Sequence, residues 1–177
     1  MSALIITTNY GVEQDELKKP LEALREAGVP VTLAASEYSP VQSLVGDKDL
    51  GETFEPDTLL ADAQMGDHAV LVVPGGTINA DNLRTDDAAV ALVRAFAADG
   101  RTVASICHGP WLLAEADVAR GKSLTSYPSI ATDLRNAGAT WEDVELRRCE
   151  AEGWTLLTSR NPGDLDAFAP AVVAAAH

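Results

Sequence analysis

Two cysteines occur in this 177-residue sequence, and only one stands where chemistry is expected. Cys107 lies in Ala104-Ser105-Ile106-Cys107-His108-Gly109-Pro110-Trp111, where an apolar run ends and a helical pattern begins. Pro110 suits the first helical position, because its missing N–H would have no intrahelical partner, and Gly109 lets the chain turn sharply. A sulfur held there meets backbone N–H groups and the positive end of a helix dipole. Both favour thiolate and predict a pKa below the free value of about 8.5. Cys149, within Arg147-Arg148-Cys149-Glu150, reads instead as a small buried apolar residue. Two thiols in a chain read as cytosolic predict no disulfide.

A nucleophilic thiol is commonly served by a base, most often His. The chain offers His68, His108 and His177. His177 is terminal, and His68 precedes a strand at its amino end, on the wrong side of a sheet. His108 remains, either as the thiol's partner or as a residue that only shapes the turn. Val73-Pro74-Gly75-Gly76 ends a second apolar run, and a glycine pair there lets backbone N–H groups approach a ligand, as an oxyanion hole requires. Tyr10-Gly11-Val12-Glu13 follows the first run. Glu13 opens a helix, where a carboxylate is usually a capping or dipole partner. Beside a thiolate it would keep its proton and shuttle it.

These residues need a scaffold that brings strand ends together. Ala3 to Thr7, Val29 to Ala35, His68 to Val73 and Thr102 to Ile106 are short apolar runs, as strands buried on both faces read. Between them Leu17, Leu21 and Leu24 recur at helical spacing before Gly28, and Ala89, Leu92, Val93 and Phe96 before Gly100. Pro20 predicts a kink near Lys19, and Thr85 is the expected cap of the second helix. Residues 37–56 lack periodicity and read as an excursion, a short hairpin. A helix near Ser129 to Ala137, strands near Val144 to Cys149 and Thr155 to Thr158, and a closing helix from Gly163 to Ala175 complete the chain. The pattern predicts one domain over residues 1–177, an α/β fold with three layers (α/β/α) and a mostly parallel sheet. Ligands of such sheets bind outside the carboxyl ends of the strands, where Cys107, Gly75, Gly76 and Glu13 fall.

Composition narrows the function classes. Thirteen Lys and Arg face 27 Asp and Glu, a formal charge of −14 that disfavours nucleic acid. No apolar run approaches the ~18 residues of a membrane span, and the start lacks the basic region and cleavage site of a secretory signal. A cytoplasmic protein without a membrane partner is expected. There is no phosphate-binding loop, dinucleotide fingerprint or His/Cys cluster, so no cofactor and no metal are expected.

The Cys-His-Gly-Pro segment at 107–110, with Val73-Pro74-Gly75-Gly76, Gly11-Val12-Glu13, Thr125-Ser126-Tyr127-Pro128 and Thr158-Ser159-Arg160, resembles the ThiJ/PfpI superfamily. The resemblance spans essentially the whole chain and is close to intracellular protease PfpI and bacterial general stress proteins. It implies the flavodoxin-like, class I glutamine amidotransferase-like form of the fold. By it Cys107 matches the nucleophile, His108 its neighbour, and Glu13 the acid contacting the sulfur. The N–H groups of Gly76 and His108 match the oxyanion hole. It further implies a homodimer or larger homo-oligomer, in which Asp81 reaches the neighbouring subunit's site. Tyr10 stands where the family usually has Asp.

Three activities compete on such a site: cofactor-free glyoxalase or deglycase chemistry on reactive carbonyls, a cysteine peptidase using Cys107, His108 and Asp81, and a thiol redox sensor or chaperone-like stress protein. The first is the leading expectation, since no insertion builds a cleft for an extended peptide. Glutamine amidotransferase activity is excluded by the lack of a downstream His-x-Glu.

Overall fold

The computed structural model describes residues 1–177. In chain order, β1 (Ser2–Ile6) and β2 (Tyr10–Glu13) lead into α1 (Gln14–Glu26). Then come β3 (Val31–Ala35), β4 (Val41–Val45), β5 (Asp49–Phe54), β6 (Thr58–Leu59) and β7 (His68–Val73). The next elements are α2 (Thr77–Leu83), α3 (Asp87–Ala98), β8 (Thr102–Ile106), α4 (Trp111–Glu115), β9 (Ser123–Leu124) and α5 (Ala131–Asn136). The chain closes with β10 (Thr140–Trp141), β11 (Arg147–Cys149), β12 (Thr155–Ser159) and α6 (Leu165–Ala175).

Seven strands form the main sheet in the order β11-β12-β8-β7-β1-β3-β6. Every neighbouring pair is parallel except β11 with β12. The apolar runs follow from that burial. Along β1, Ala3 and Ile5 pack with Leu17, Leu21 and Leu24 of α1 and Phe168 and Val172 of α6. Leu4 and Ile6, with side chains on the other face, join Phe96 of α3 and Leu112 of α4. Helices therefore cover both faces, as the three-layer expectation required. The chain leaves β1 towards β3 and β6, then returns to β7 on the other side of β1. The order reverses between β1 and β7, and a crevice opens there beyond the strand ends.

Residues 37–56 do contain a hairpin, β4 with β5, and its pairing with β2 makes a separate three-stranded sheet beside the crevice. Two local expectations change. Asp86, not Thr85, caps α3, its Oδ1 accepting from the N–H groups of Ala88 and Ala89; Thr85 donates its hydroxyl to the Asn82 carbonyl. The helix expected from Ser129 is a 3₁₀ turn, Pro128–Ile130, followed by the short α5. No helix is long and apolar enough to cross a membrane.

Candidate active site

Cys107 leaves the end of β8 with φ 63°, a left-handed conformation that costs a non-glycine residue about 1–2 kcal/mol. Two hydrogen bonds fix it there: its N–H donates to the Ser159 carbonyl at 3.0 Å, and its carbonyl accepts from the Tyr127 N–H at 2.8 Å. The bend sits on Cys107 itself and not on Gly109. It also breaks strand alternation, so that Cys107 and its neighbour His108 meet, with Sγ 3.2 Å from Nδ1. His108 Nε2 lies 3.2 Å from the Ser129 hydroxyl, and its ring stacks on Tyr127 at 4.7 Å. Burial lowers the His108 pKa, so at neutral pH the ring is uncharged and able to accept a proton.

The Gly75-Gly76 turn at the end of β7 faces the same sulfur. Backbone N–H groups of Gly76 and His108 both point at it. Gly76 has φ 83°, and a Cβ there would come within 2.1 Å of the Gly11 carbonyl oxygen, so the close approach requires glycine. Gly75 does a different job: its N–H donates to Glu16 Oε2 at 2.9 Å.

The carboxyl against the thiol is that of Glu16, not Glu13. Glu13 stands at the start of α1 without a side-chain capping bond, and its buried carboxyl group accepts from the N–H groups of Gly46 (3.2 Å) and Asp47 (3.3 Å) at the β4–β5 tip. One helical turn on, Glu16 is completely buried, and its second oxygen, Oε1, has no hydrogen-bond partner. Burial raises its pKa to about 8, and the nearby Glu13 charge adds to this. The sequence held a signal for Glu16. It lies in the stripe of α1 that also buries Leu17, Pro20, Leu21 and Leu24, where a charged residue has no packing reason to be.

The expected low thiol pKa is not what this setting produces. Cys107 is 6% exposed, and burial pushes its thiol up, with the Glu16 carboxylate adding to the rise against the two N–H groups. The helix that was to supply a dipole, α4, has only five residues. Thiol and carboxyl instead titrate together: the charge of whichever ionises first holds the proton on the other.

A cleft of about 510 Å³ opens over the thiol, walled by Glu13, Asp15, Asp47, Thr77, Tyr127 and Pro162. Asp47 is pinned across it, accepting from the Thr77 N–H (2.8 Å) and hydroxyl (2.6 Å). The Pro162 wall is held by Arg160, whose guanidinium grips Asp164 and Asp143. Asp81 is exposed on α2 and meets no partner within the chain. Sequence reasoning missed Asp15, Glu16, Asp47 and Ser129.

The sequence matches the model of the DJ-1/PfpI family over residues 1–175. It is 35% identical to general stress protein 18 of Bacillus subtilis, covering 93% of this chain and 92% of that one. It is likewise 35% identical to protein/nucleic acid deglycase 2 of Escherichia coli, over 94% and 91%. Among solved structures, Drosophila melanogaster DJ-1beta superposes with a TM-score of 0.85 at 33% identity, covering 99% of this chain and 91% of that one.

Proposed function

We propose, since the chain belongs to the DJ-1/PfpI family, that it is a stress-protective enzyme that uses Cys107 on reactive carbonyls, of the cofactor-free glyoxalase or deglycase type. The observation that carries this reading is the fully buried Glu16 carboxyl set against the thiol. Isomerising an α-oxoaldehyde requires a proton to leave one carbon and another to reach its neighbour, so a nucleophile needs an acid/base of this kind beside it. Relatives named as deglycases agree with the choice.

With methylglyoxal, the Cys107 thiol passes its proton to the neutral His108 ring as its sulfur forms a bond to the aldehyde carbon and the C=O π bond opens. The developing oxyanion faces the N–H groups of Gly76 and His108 and takes that proton back from the imidazolium, giving a hemithioacetal. Glu16 in its ionised form then removes the proton on that carbon as the ketone oxygen takes one up, giving an enediol; the second carbon takes the proton back from Glu16 as the first oxygen loses its own, leaving a thioester. Water, deprotonated by His108, cleaves the thioester to lactate and returns the thiol. Asp81, from a neighbouring copy, completes the surroundings of His108.

Lactate release from methylglyoxal, measured with chelator present and without glutathione, tests the mechanism. Cys107→Ala should abolish it. Glu16→Gln keeps the shape but cannot carry the proton, so turnover should fall by about 10²–10⁴ while aldehyde is still trapped on Cys107. Wild-type turnover by Glu16→Gln overturns the isomerase mechanism. The Cys107–His108 contact also favours a second reading, a cysteine peptidase, and a peptide substrate in the same panel decides between them. Hydrolysis of peptide but not methylglyoxal, lost in Asp81→Asn, would put the peptidase first.

A further inference from the structure

We propose that Ser129 is a positioning residue for the Cys107–His108 pair: its hydroxyl oxygen accepts from Nε2–H of His108, which leaves the lone pair of Nδ1 facing the thiol and steadies the imidazolium that forms when the thiol proton arrives. The inference rests on His108 taking the Cys107 proton and adds what holds the ring ready for it.

His108 is buried, and its ring is confined between two aromatic neighbours. Tyr127 stacks on it at 4.7 Å, and Trp111 meets it at 5.3 Å with the planes inclined by 59°. Trp111 is itself fixed, donating its indole N–H to Asp133 Oδ2 at 2.8 Å. Each ring nitrogen is left one partner: Cys107 Sγ for Nδ1 and Ser129 Oγ for Nε2, both at 3.2 Å. Ser129 arrives on the segment that fixes the elbow. The Tyr127 N–H donates to the Cys107 carbonyl, and the 3₁₀ turn Pro128–Ile130 is anchored by the buried Ile130. One short stretch thus sets the backbone of the thiol, a face of the ring and the far edge of the ring.

A neutral imidazole carries one ring proton, and its partners decide on which nitrogen. Burial keeps the thiol protonated, so S–H donates to Nδ1. Nε2 then carries the hydrogen, and the Ser129 oxygen accepts it. When the thiol proton moves to Nδ1 the ring becomes a cation with both N–H groups matched, one to the thiolate and one to the hydroxyl. The second bond strengthens as the ring gains charge. The Ser129 hydrogen stays free to donate outward, so a carboxylate from a neighbouring copy meets the ring through it. Other charged groups surround the ring without bonding Nε2. Asp47 stands at the hairpin tip, Glu13, Asp15 and Glu16 of α1 lie across the cleft, and Asp133 of α5 and Arg84 after α2 lie beyond Trp111.

The role of Ser129 can be read without carbonyl turnover. On the whole protein, NMR of isotope-labelled histidine ring nitrogens gives the tautomer and titration of His108, identified by the signal that His108→Gln removes. The proton should reside on Nε2 at neutral pH. Ser129→Ala should lower the protonation constant of His108 by about threefold to tenfold and slow iodoacetamide alkylation of Cys107 at neutral pH by a similar factor. Ser129→Thr keeps the hydroxyl and should stay near wild type on both. In the alkylation a sulfur–carbon bond forms, iodide leaves and the thiol proton passes to Nδ1. On a His108→Gln background, Ser129→Ala should therefore have no further effect on that rate. A proton on Nδ1, an unchanged protonation constant in Ser129→Ala, or the same slowing with His108 absent overturns the proposal. If wild type turns over no carbonyl while the Ser129 effects hold, the reading of the reaction fails and the positioning role stands.

Discussion

Cys107 and Glu16 share a small volume, and each makes the other's proton harder to remove. Burial and the Glu16 charge raise the thiol, and the Glu16 hydrogen bond acts in the same direction. Alkylation of Cys107 by iodoacetamide should therefore stay slow as Glu16 ionises near pH 8 and rise only above that range, because the new carboxylate holds the proton on the thiol. In Glu16→Gln that charge cannot form, so the profile of Cys107 should move to lower pH. A profile that stays in place, followed by mass-spectrometric mapping, would separate the two groups. Cys107 itself was legible in the sequence, because an apolar run, a Cys and a Gly-Pro pair mark a strand end wherever they occur. Its acid was legible only in part. Glu13 was read as the acid because it opens the helix, whereas Glu16 is marked by its place on the apolar stripe of α1, and only packing shows that Glu16 is the one set against the sulfur.

Elements meet at Asn79, which holds the glycine turn to the end of β1. Its Oδ1 accepts from the Thr7 hydroxyl (2.8 Å), the Thr8 N–H (2.8 Å) and the Thr8 hydroxyl (2.9 Å). Its Nδ2 donates to the Gly75 carbonyl at 3.0 Å. Asn79→Ala would strand these buried groups and should cost about 2–4 kcal/mol in urea unfolding, with a larger loss of turnover than of substrate affinity. An unchanged urea midpoint would show that water replaces the amide. The apolar runs and helical spacings revealed the strands and long helices because those residues face a core on one or both sides. The hairpin of β4 and β5 was legible, but its third strand was not. The pairing of β4 with β2 joins residues far apart in sequence, and half-exposed strands specify register weakly.

For the molecule as a whole, the buried acid is a liability that grows with pH. Glu16 holds its proton up to about 8 when folded but releases it near 4.5 in the unfolded chain. Between those values the native state binds more protons, so stability falls as pH rises, by a few kcal/mol for a shift of this size. Glu16→Gln removes that loss. Its melting temperature should rise relative to wild type from pH 5 to pH 8.5 in scanning calorimetry, and a constant difference across that range would contradict the assigned ionisation. The two sheets carry a further consequence. Cys107 and the glycine turn stand at the ends of main-sheet strands, whereas the Gly46-Asp47 wall belongs to the small sheet of β2, β4 and β5. The reacting groups and the groups that decide what reaches them are thus inherited on separate modules. A lineage can lengthen, recharge or exchange the segment between β3 and β6 and so acquire a new diet for the same thiol.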